Sequence, residues 1–206
     1  MDLEGEVAAL RREVADLRVQ AQAASDYIAL SNLQRIYGYY VDKGLWDEAA
    51  DLFAADGTLE IAGRGVYTGR ERVRAYLHQL PAYGDGVLYN HMQLQPVIHV
   101  DGDRAKARWR AFIQLGFVGA EARWGEAIYE NEYRRNDDGI WQIAMLHAFV
   151  TYYTDFDQGW NKGGVKLLRS TDGIEPDEPA SVHYEAFPSA FIPPFHYPNP
   201  VSGKTR

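Results

Sequence analysis

Apolar residues recur every three or four positions through the first 28 residues, which is the spacing of a heptad repeat. Charged residues such as Glu4, Arg11 and Glu13 occupy the other faces. The pattern predicts a helix that either joins subunits or packs along its own domain. Ser25-Asp26 is placed to cap or interrupt this helix. The apolar series consists of Leu3, Val7, Leu10, Val14, Leu17, Ala21, Ala24 and Ile28.

Helical spacing recurs in three segments that end at Gly44, at Ala55-Asp56-Gly57 and at Pro81, with two short strands before the last segment. The predicted elements are helices over 28–42 and 45–53, short strands over 58–61 and 66–67, and a helix over 70–80.

From residue 87 the apolar spacing changes to every second residue, which is typical of strands. Asp-Gly turns at 101–103 and 137–139 separate neighbouring strands. Helices followed by an antiparallel meander indicate an α+β fold. The alternation places Ala105, Ala107, Trp109, Ala111 and Ile113 on one face of the second long strand. The four long strands are predicted over 88–100, 105–115, 124–135 and 140–153.

Residues 154–206 are rich in proline but also in aromatic residues, unlike a disordered tail. We expect an extended arm that lies over the domain or a neighbouring subunit, or that serves as a lid. The predicted organisation is therefore an N-terminal helix over 1–27, an α+β domain over 28–153 and the arm over 154–206.

Composition restricts the function. The net charge of −8 argues against nucleic acid as the main partner, and no apolar run approaches the roughly 20 residues that span a bilayer. Without cysteines, thiolate metal sites and cysteine nucleophiles are excluded. The acidic N-terminus lacks the layout of a signal peptide, so we expect a cytoplasmic protein. The 14 tyrosines, 8 phenylalanines and 5 tryptophans indicate a large core or a pocket for a flat ligand.

Chemical motifs are sparse. No nucleotide-binding glycine motif, phosphate loop or His-Glu-x-x-His sequence is present, and the six histidines lack metal-ligand spacing. We therefore expect no metal and no cofactor. Two residues remain as candidates for acid–base catalysis: Asp42, a carboxylate in the last turn of a predicted helix, and His91, near the start of the first long strand.

Four stretches resemble the nuclear-transport-factor-2-like superfamily, in its SnoaL-like and scytalone-dehydratase-like branch. They are Asp42-Lys-Gly-Leu-Trp-Asp-Glu48 with Asp51-Leu-Phe-Ala-Ala-Asp-Gly57, Gly65-Val-Tyr-Thr-Gly-Arg-Glu71, His91 with Ile98-His-Val-Asp-Gly-Asp-Arg-Ala105, and Tyr129-Glu-Asn-Glu-Tyr-Arg-Arg135 with Asp138-Gly-Ile-Trp-Gln-Ile143. The resemblance covers residues 28–150. It implies a cone in which a curved antiparallel sheet wraps around three helices and leaves a deep pocket.

The resemblance implies that Asp42 and His91 line this pocket as the catalytic residues. The second pocket histidine of scytalone dehydratase has no counterpart in residues 105–115, and Val41 replaces a tyrosine. Tyr39, one helical turn before Asp42, is expected to contribute to substrate binding instead.

Strand alternation extends the predicted site. If Tyr129 faces the pocket, Asn131 and Tyr133 do so too. Trp109 is either the pocket floor or core. The predicted substrate-binding residues are thus Tyr39, Tyr129, Asn131 and Trp109, whereas Arg64, Arg70 and Arg72 are expected at the surface.

The activity implied by the resemblance is that of a cofactor-independent lyase acting on an aromatic, phenolic small molecule. The long N-terminal helix and aromatic arm look similar to those of the bacterial lignin-dimer γ-formaldehyde lyases. Two alternatives stay open: a dehydratase or isomerase of polyketide or steroid type, and a non-catalytic small subunit of a ring-hydroxylating dioxygenase. The superfamily also implies a homodimer or a homotrimer.

Overall fold

A computed structural model describes residues 3–166 and 173–205 of the chain. It contains three helices and a six-stranded sheet that curls around them without closing. The predicted α+β cone is therefore confirmed. We call the face of the sheet that packs against the helices the inner face, and the opposite one the outer face. Helices α1, α2 and α3 span Leu3–Asp42, Trp46–Asp51 and Arg70–Leu77, and strands β1 to β6 span Phe53–Ile61, Val66–Thr68, Val87–Asp101, Arg104–Phe117, Glu121–Arg135 and Trp141–Asp155.

The sheet has the order β2-β1-β6-β5-β4-β3, so β2 and β3 are its edges. Strands β3 to β6 form the antiparallel meander predicted from the Asp-Gly turns, and β1 pairs with β6 in parallel. Pro96 lies where the pairing of β3 with β4 shifts, between Leu94 and Val97. Proline lacks the N–H that a central strand donates, so a bulge in an edge strand suits it.

Helix α1 runs through Ser25-Asp26 without a break, so the prediction of a cap or interruption there is wrong. Asp26 is buried and accepts hydrogen bonds from Arg135, Gln22 and Trp141, which anchors the helix to β5 and β6 instead of ending it. Residues 3–25 are all exposed. The alternative in which the N-terminal helix packs along its own domain is therefore wrong for this half of α1.

The second helix is shorter than predicted, and β1 begins at Phe53 instead of residue 58. Ala55-Asp56-Gly57 forms an irregularity inside β1, where the pairing with β6 shifts between Phe53 and Thr58. Phe53 and Ala54 are fully buried, so apolar packing draws the chain into the sheet before the predicted turn.

The core lies between the three helices and the inner face of the sheet. The predicted alternation on β4 is confirmed, since all five residues of its small-residue face are buried. They are joined by Leu30 and Tyr37 from α1 and by Val73 and Tyr76 from α3. These contacts seal one end of the cone, and the space that remains near the ends of α1 and α3 becomes the cavity described below.

The arm is described over residues 154–166 and 173–205, and the second of these stretches lies along β2, β6 and the outer face. Glu178 pairs with Val66, and the amide of Phe187 donates to the carbonyl of Thr151 at 2.8 Å. These bonds cover strand edges that would otherwise expose unpaired backbone groups. Residues 167–172 of the predicted arm lie outside the described residues. Among the described helices, none has the length and apolarity that crossing a membrane requires.

Candidate active site

Asp42 is the last residue of α1, and the turn that follows fixes its position. Gly44 has a φ of 63°, the left-handed conformation that commonly ends helices. The amide of Lys43 donates to the carbonyl of Tyr40 at 3.1 Å, and that of Gly44 to the carbonyl of Val41 at 3.2 Å. This turn directs the Asp42 carboxylate towards β3.

His91 lies on the neighbouring edge strand β3 and meets Asp42 twice. Its backbone N–H donates to Asp42 Oδ1 at 2.7 Å, and its Nδ1 lies 3.0 Å from the same oxygen. Gly38 permits this approach, because a Cβ there would come within 2.9 Å of Gln93 and 3.1 Å of the His91 carbonyl. The contact between Asp42 and His91 is thus present, but only His91 lines the cavity described next, whereas Asp42 lies behind it and borders the depression on the other side.

The hydrogen bonds also define the tautomer of the neutral imidazole. An ionised carboxylate only accepts hydrogen bonds, so Nδ1 carries the proton that faces Asp42. In this neutral tautomer Nε2 has a free lone pair that can accept a proton from another molecule. Both side chains are largely buried, at 13% exposure for Asp42 and 17% for His91. The pair therefore has the arrangement of an oriented general base.

His91 lines a cavity of about 200 Å³ enclosed by the helices and the inner face. Its walls are mostly aromatic and aliphatic. Burial raises the pKa of Tyr37, Tyr129 and Tyr153, so their hydroxyls are neutral donors at neutral pH. The aromatic wall consists of Tyr37, Trp46, Tyr76, Tyr89, Phe117, Tyr129 and Tyr153.

Two arginines enter this largely apolar cavity. Arg123, from the start of β5, pairs with Glu121 at 2.6 Å. Arg64, in the turn between β1 and β2, donates to the hydroxyl of Tyr76 at 2.6 Å. The prediction that Arg64 is a surface residue is wrong, because the turn folds over the end of the cone. Arg72 does lie at the surface, where it pairs with Asp177.

The other predicted site residues divide between three locations. Tyr129 lines the cavity with His91. Asn131 and Trp109 are buried beside it but outside its lining; both donate to the hydroxyl of Tyr133, at 3.1 and 3.0 Å. Tyr39 is 71% exposed and lines a second depression, of about 280 Å³, on the other side of the Asp42–His91 pair. The alternation of β5 was correct, but a polar cluster around Gln34 fills the cone beyond Tyr129.

Sequence reasoning missed Arg64, Arg123, Tyr76 and Tyr153. A signal existed for Arg123, because it lies six residues before Tyr129 on a strand whose pairing with β4 is unbroken. An even separation places both side chains on the same face.

A second group of histidines and carboxylates lies on the outer face, beneath the arm. His196 Nδ1 is 2.7 Å from Glu130 Oε2, and Arg108 pairs with Glu130 at 2.6 Å. His147 lies 3.6 Å from Glu60, which accepts hydrogen bonds from the amide and hydroxyl of Ser181. Neither His196 nor His147 lines the cavity that His91 borders, and no three His, Asp or Glu side chains in 3–166 and 173–205 are placed to hold a metal ion.

Known folds and families agree with this architecture. A model of the SnoaL-like domain matches residues 22–147. The structure of a putative scytalone dehydratase from Novosphingobium aromaticivorans is 18% identical, with a TM-score of 0.61 over 76% of this chain and 99% of that one. A type 2 hexachlorocyclohexane dehydrochlorinase, LinA, is 21% identical, with a TM-score of 0.60 over 66% of this chain and 93% of that one.

A third similar structure, a protein of unknown function from Mycobacterium tuberculosis, is 23% identical, with a TM-score of 0.55 over 63% of this chain and 74% of that one. At these identities the structures show a shared fold. No protein of curated function matches the chain significantly. Since the family model covers more than half of the sequence, the chain belongs to the SnoaL-like family.

Proposed function

We propose that the protein is a cofactor-independent lyase that eliminates a small group from an aromatic substrate, with His91 moving the proton. The observation that carries the proposal is the contact of Asp42 with His91 Nδ1, at 3.0 Å, on the wall of an aromatic cavity. A histidine that a carboxylate holds in one tautomer is suited to accept and return a proton near neutral pH.

The reaction would begin when His91 Nε2 removes a proton from a substrate carbon. The C–H electron pair forms a double bond as the leaving group departs from the neighbouring carbon. The imidazolium then gives its proton to the leaving group, so the net change is the loss of one neutral molecule, such as water. Asp42 is placed as the partner of the imidazole, because its oxygen already accepts the backbone and ring N–H groups of His91.

The cavity size favours a substrate with one buried ring. A cavity of about 150 Å³ accommodates benzene, and drug-sized ligands occupy roughly 300–1,000 Å³. The cavity of about 200 Å³ is therefore suited to a single substituted ring. A substrate with two rings would keep one of them outside, and a fused steroid or polyketide would require the walls to move.

The finer hypothesis is the deformylation of a phenolic diarylpropane diol. The phenolic proton and the benzylic hydroxyl would leave as water, giving a quinone methide, with His91 protonating the departing oxygen. Deprotonation of the primary hydroxyl then breaks the adjacent C–C bond and releases formaldehyde. The electron pair of that bond forms the new double bond and restores the phenolate, leaving a stilbene.

Dehydration without C–C cleavage is a second candidate, favoured by the similarity to the structure of a putative scytalone dehydratase. It uses the same proton transfer and differs only in its products. The third hypothesis, a non-catalytic dioxygenase subunit, gives no role to the Asp42–His91 pair. Copurification with a large iron–sulfur subunit would support it.

The test is a panel of single-ring and two-ring phenolic alcohols incubated with wild type and Asp42→Asn. Alkene products are measured by mass spectrometry and formaldehyde by a colorimetric assay. We expect turnover by wild type to fall by about 10²- to 10⁴-fold in Asp42→Asn, the usual range for general acid–base catalysis. Near-normal turnover by that variant would show that the pair is not the catalytic group. Formaldehyde release separates deformylation from dehydration.

A further inference from the structure

Arg64 is a cation in a largely apolar cavity, and no carboxylate of the described residues forms an ion pair with it. Its hydrogen bond to Tyr76 is with a neutral group, because burial raises the pKa of that hydroxyl despite the nearby guanidinium. Its Nε is buried and has no hydrogen-bond partner in the described residues. An unpaired cation in such surroundings is costly, so proteins usually provide a carboxylate or bind an anion there.

Arg123 in the cavity and Arg72 at the surface do have carboxylate partners. Arg123 pairs with Glu121 at 2.6 Å, and Arg72 pairs with Asp177 at 2.9 Å. Arg64 forms no ion pair within residues 3–166 and 173–205. Arg64 lines the same cavity as His91. An anionic ligand that contacts both residues would therefore supply the missing negative charge to Arg64.

We infer that Arg64 binds an oxyanion on the substrate, either an aromatic carboxylate or a phenolate, while the reacting carbon lies at His91. This inference rests on the proposed function, and it narrows the substrate to an anionic aromatic molecule. Guanidinium binds such oxygens through charge-assisted hydrogen bonds. A phenolate held in this way would also supply the electrons that expel a leaving group from the benzylic carbon.

Ligand binding tests the inference without turnover. Benzoate and its neutral counterpart benzamide are titrated by calorimetry into wild type, Arg64→Gln and the control Arg72→Gln. We expect benzoate to bind Arg64→Gln about 10- to 100-fold more weakly than wild type, because hydrogen bonds to charged groups contribute at this level. Benzamide should bind all three proteins similarly, and Arg72→Gln should match wild type.

Further measurements distinguish a carboxylate from a phenolate, and separate this inference from the lyase proposal. Para-nitrophenolate, compared with nitrobenzene, tests the phenolate source, and Arg64→Lys, which keeps the charge, should retain part of the affinity. Asp42→Asn should bind benzoate normally even if it abolishes turnover, so failure of the lyase proposal leaves this result unchanged. Equal oxyanion affinity in wild type and Arg64→Gln, or no binding of either oxyanion to wild type, would overturn the inference.

A separate observation concerns the exposed half of α1. Residues 3–25 extend over about 35 Å at 1.5 Å per residue and leave their apolar seam open, with Leu3, Leu10 and Leu17 each more than half exposed. The heptad register places Val7 and Val14 at a positions and the three leucines at d positions. Valine at a with leucine at d favours two-stranded coiled coils.

The charges beside the seam specify the orientation of the partner. Glu6 and Glu13 fall at g positions, and Arg11 and Arg18 at e positions. None of the four forms an ion pair within the described part of the chain. In a parallel pair, Glu6 would face the partner's Arg11 and Glu13 the partner's Arg18, whereas an antiparallel pair would bring glutamates together and arginines together.

We propose that this segment forms a parallel, in-register, two-stranded coiled coil with a second copy of the chain. An isolated helix of this length is only marginally stable in water, but this one continues from the packed half of α1 and needs no new nucleation. Burying the valine and leucine seam against the same seam of another chain would remove its exposed apolar surface from water.

Sedimentation of the full chain gives the first test. Wild type is expected to be a dimer, and Glu6→Arg/Glu13→Arg a monomer, because both interchain g–e pairs would then bring arginine to arginine. Adding Arg11→Glu/Arg18→Glu should restore the dimer. A monomeric or trimeric wild type, or a dimer that ignores the charge reversal, would contradict the proposal.

Orientation is tested by cross-linking, since the natural chain has no cysteine. Val7→Cys should form an interchain disulfide on oxidation, because equivalent a positions meet in a parallel pair. Arg12→Cys, at the outward f position, is the matched control and should not cross-link. The absence of a disulfide in Val7→Cys would exclude the parallel arrangement.

Discussion

The two faces of the sheet contain similar carboxylate–histidine pairs in different surroundings. On the inner face, Asp42 meets His91 at 3.0 Å beside a cavity. On the outer face, Glu130 meets His196 at 2.7 Å beneath the arm, where Arg108 also binds the carboxylate and stacks on Phe195, 3.9 Å from the ring centre. The outer pair has the shorter contact, and its side chains are slightly less exposed than those of the inner pair, at 8% for His196 and 11% for Glu130.

The difference shows that a carboxylate–histidine contact does not by itself indicate catalysis. Such a pair orients the imidazole ring, and the role of the histidine depends on what contacts its second ring nitrogen. His196 Nε2 meets His99 at 3.0 Å, so the pair fastens the arm to the sheet. His91 instead borders open space large enough for a ligand. We therefore expect substitutions on the inner face to change activity and those on the outer face to change stability.

The largest effect should separate these two histidines. His91→Ala is expected to lower turnover by about 10²- to 10⁴-fold, because the proton acceptor is lost, and to lower the free energy of unfolding by about 1–2 kcal/mol, because its hydrogen bond to the Asp42 carboxylate is lost as well. His196→Ala should leave turnover within about twofold but lower the free energy of unfolding by about 1–2 kcal/mol, since a buried hydrogen bond to a charged group is removed. Turnover and urea denaturation of both variants give the comparison. Equal losses of activity would abolish the distinction between the faces.

A smaller effect is expected at the contact of Glu60 with the arm. Glu60 is buried and accepts the amide of Ser181 at 2.8 Å and its hydroxyl at 2.6 Å. Glu60→Ala should cost about 2–3 kcal/mol and increase hydrogen exchange at the Ser181 amide, because that donor loses its acceptor. Ser181→Ala keeps the hydrogen bond from the backbone N–H of residue 181 to Glu60, so it should lower the free energy of unfolding by less. A change in turnover without greater exchange would contradict an anchoring role.

Protonation of His147 should weaken the outer face in acid. Burial lowers the pKa of His147 from its ordinary 6.5, although the facing Glu60 and Glu130 carboxylates act in the opposite direction. The unfolded chain therefore binds a proton at higher pH than the folded one, so stability is complete above about pH 6.5 and decreases as the pH falls below it. Urea denaturation across this range should show a shallower decline for His147→Gln than for wild type. Parallel curves would show that His147 is not responsible.

Local patterns predicted the elements of the fold, and they failed where pairing is irregular. On β5, unbroken alternation places Tyr129 and Arg123 on the inner face. On β6, the pairing with β5 shifts by one residue between Val150 and Tyr152. After this shift Tyr153, and not Tyr152, lies in the cavity wall with Val150. Alternation counted from the sequence selects Tyr152, because a bulge exchanges the faces. Arg64 lies in a turn, where no period applies, so its place in the cavity depends on tertiary packing.

The pair Asp42–His91 was predictable only through the family resemblance. The two residues are 49 positions apart, and their contact requires the close approach of α1 to β3 at Gly38. The resemblance did not extend to the residues around them. Position 113, opposite His91 on β4, is an isoleucine that lines the cavity, so the wall next to the pair is apolar.

The smallest effect is expected at Tyr39, which tests where the inner site ends. Its ring is 71% exposed and lies on the side of Asp42 away from the cavity, within a depression that also includes Arg35. Tyr39→Phe should change the apparent affinity and turnover by less than about twofold, since exposed substitutions away from a site are usually within about 0.5 kcal/mol. Tyr129→Phe is the matched control, because its ring lines the cavity with His91, and it should reduce substrate affinity. A large effect of Tyr39→Phe alone would place the substrate on the exposed side of the pair, and the division between a catalytic inner face and a structural outer face would need to include this depression.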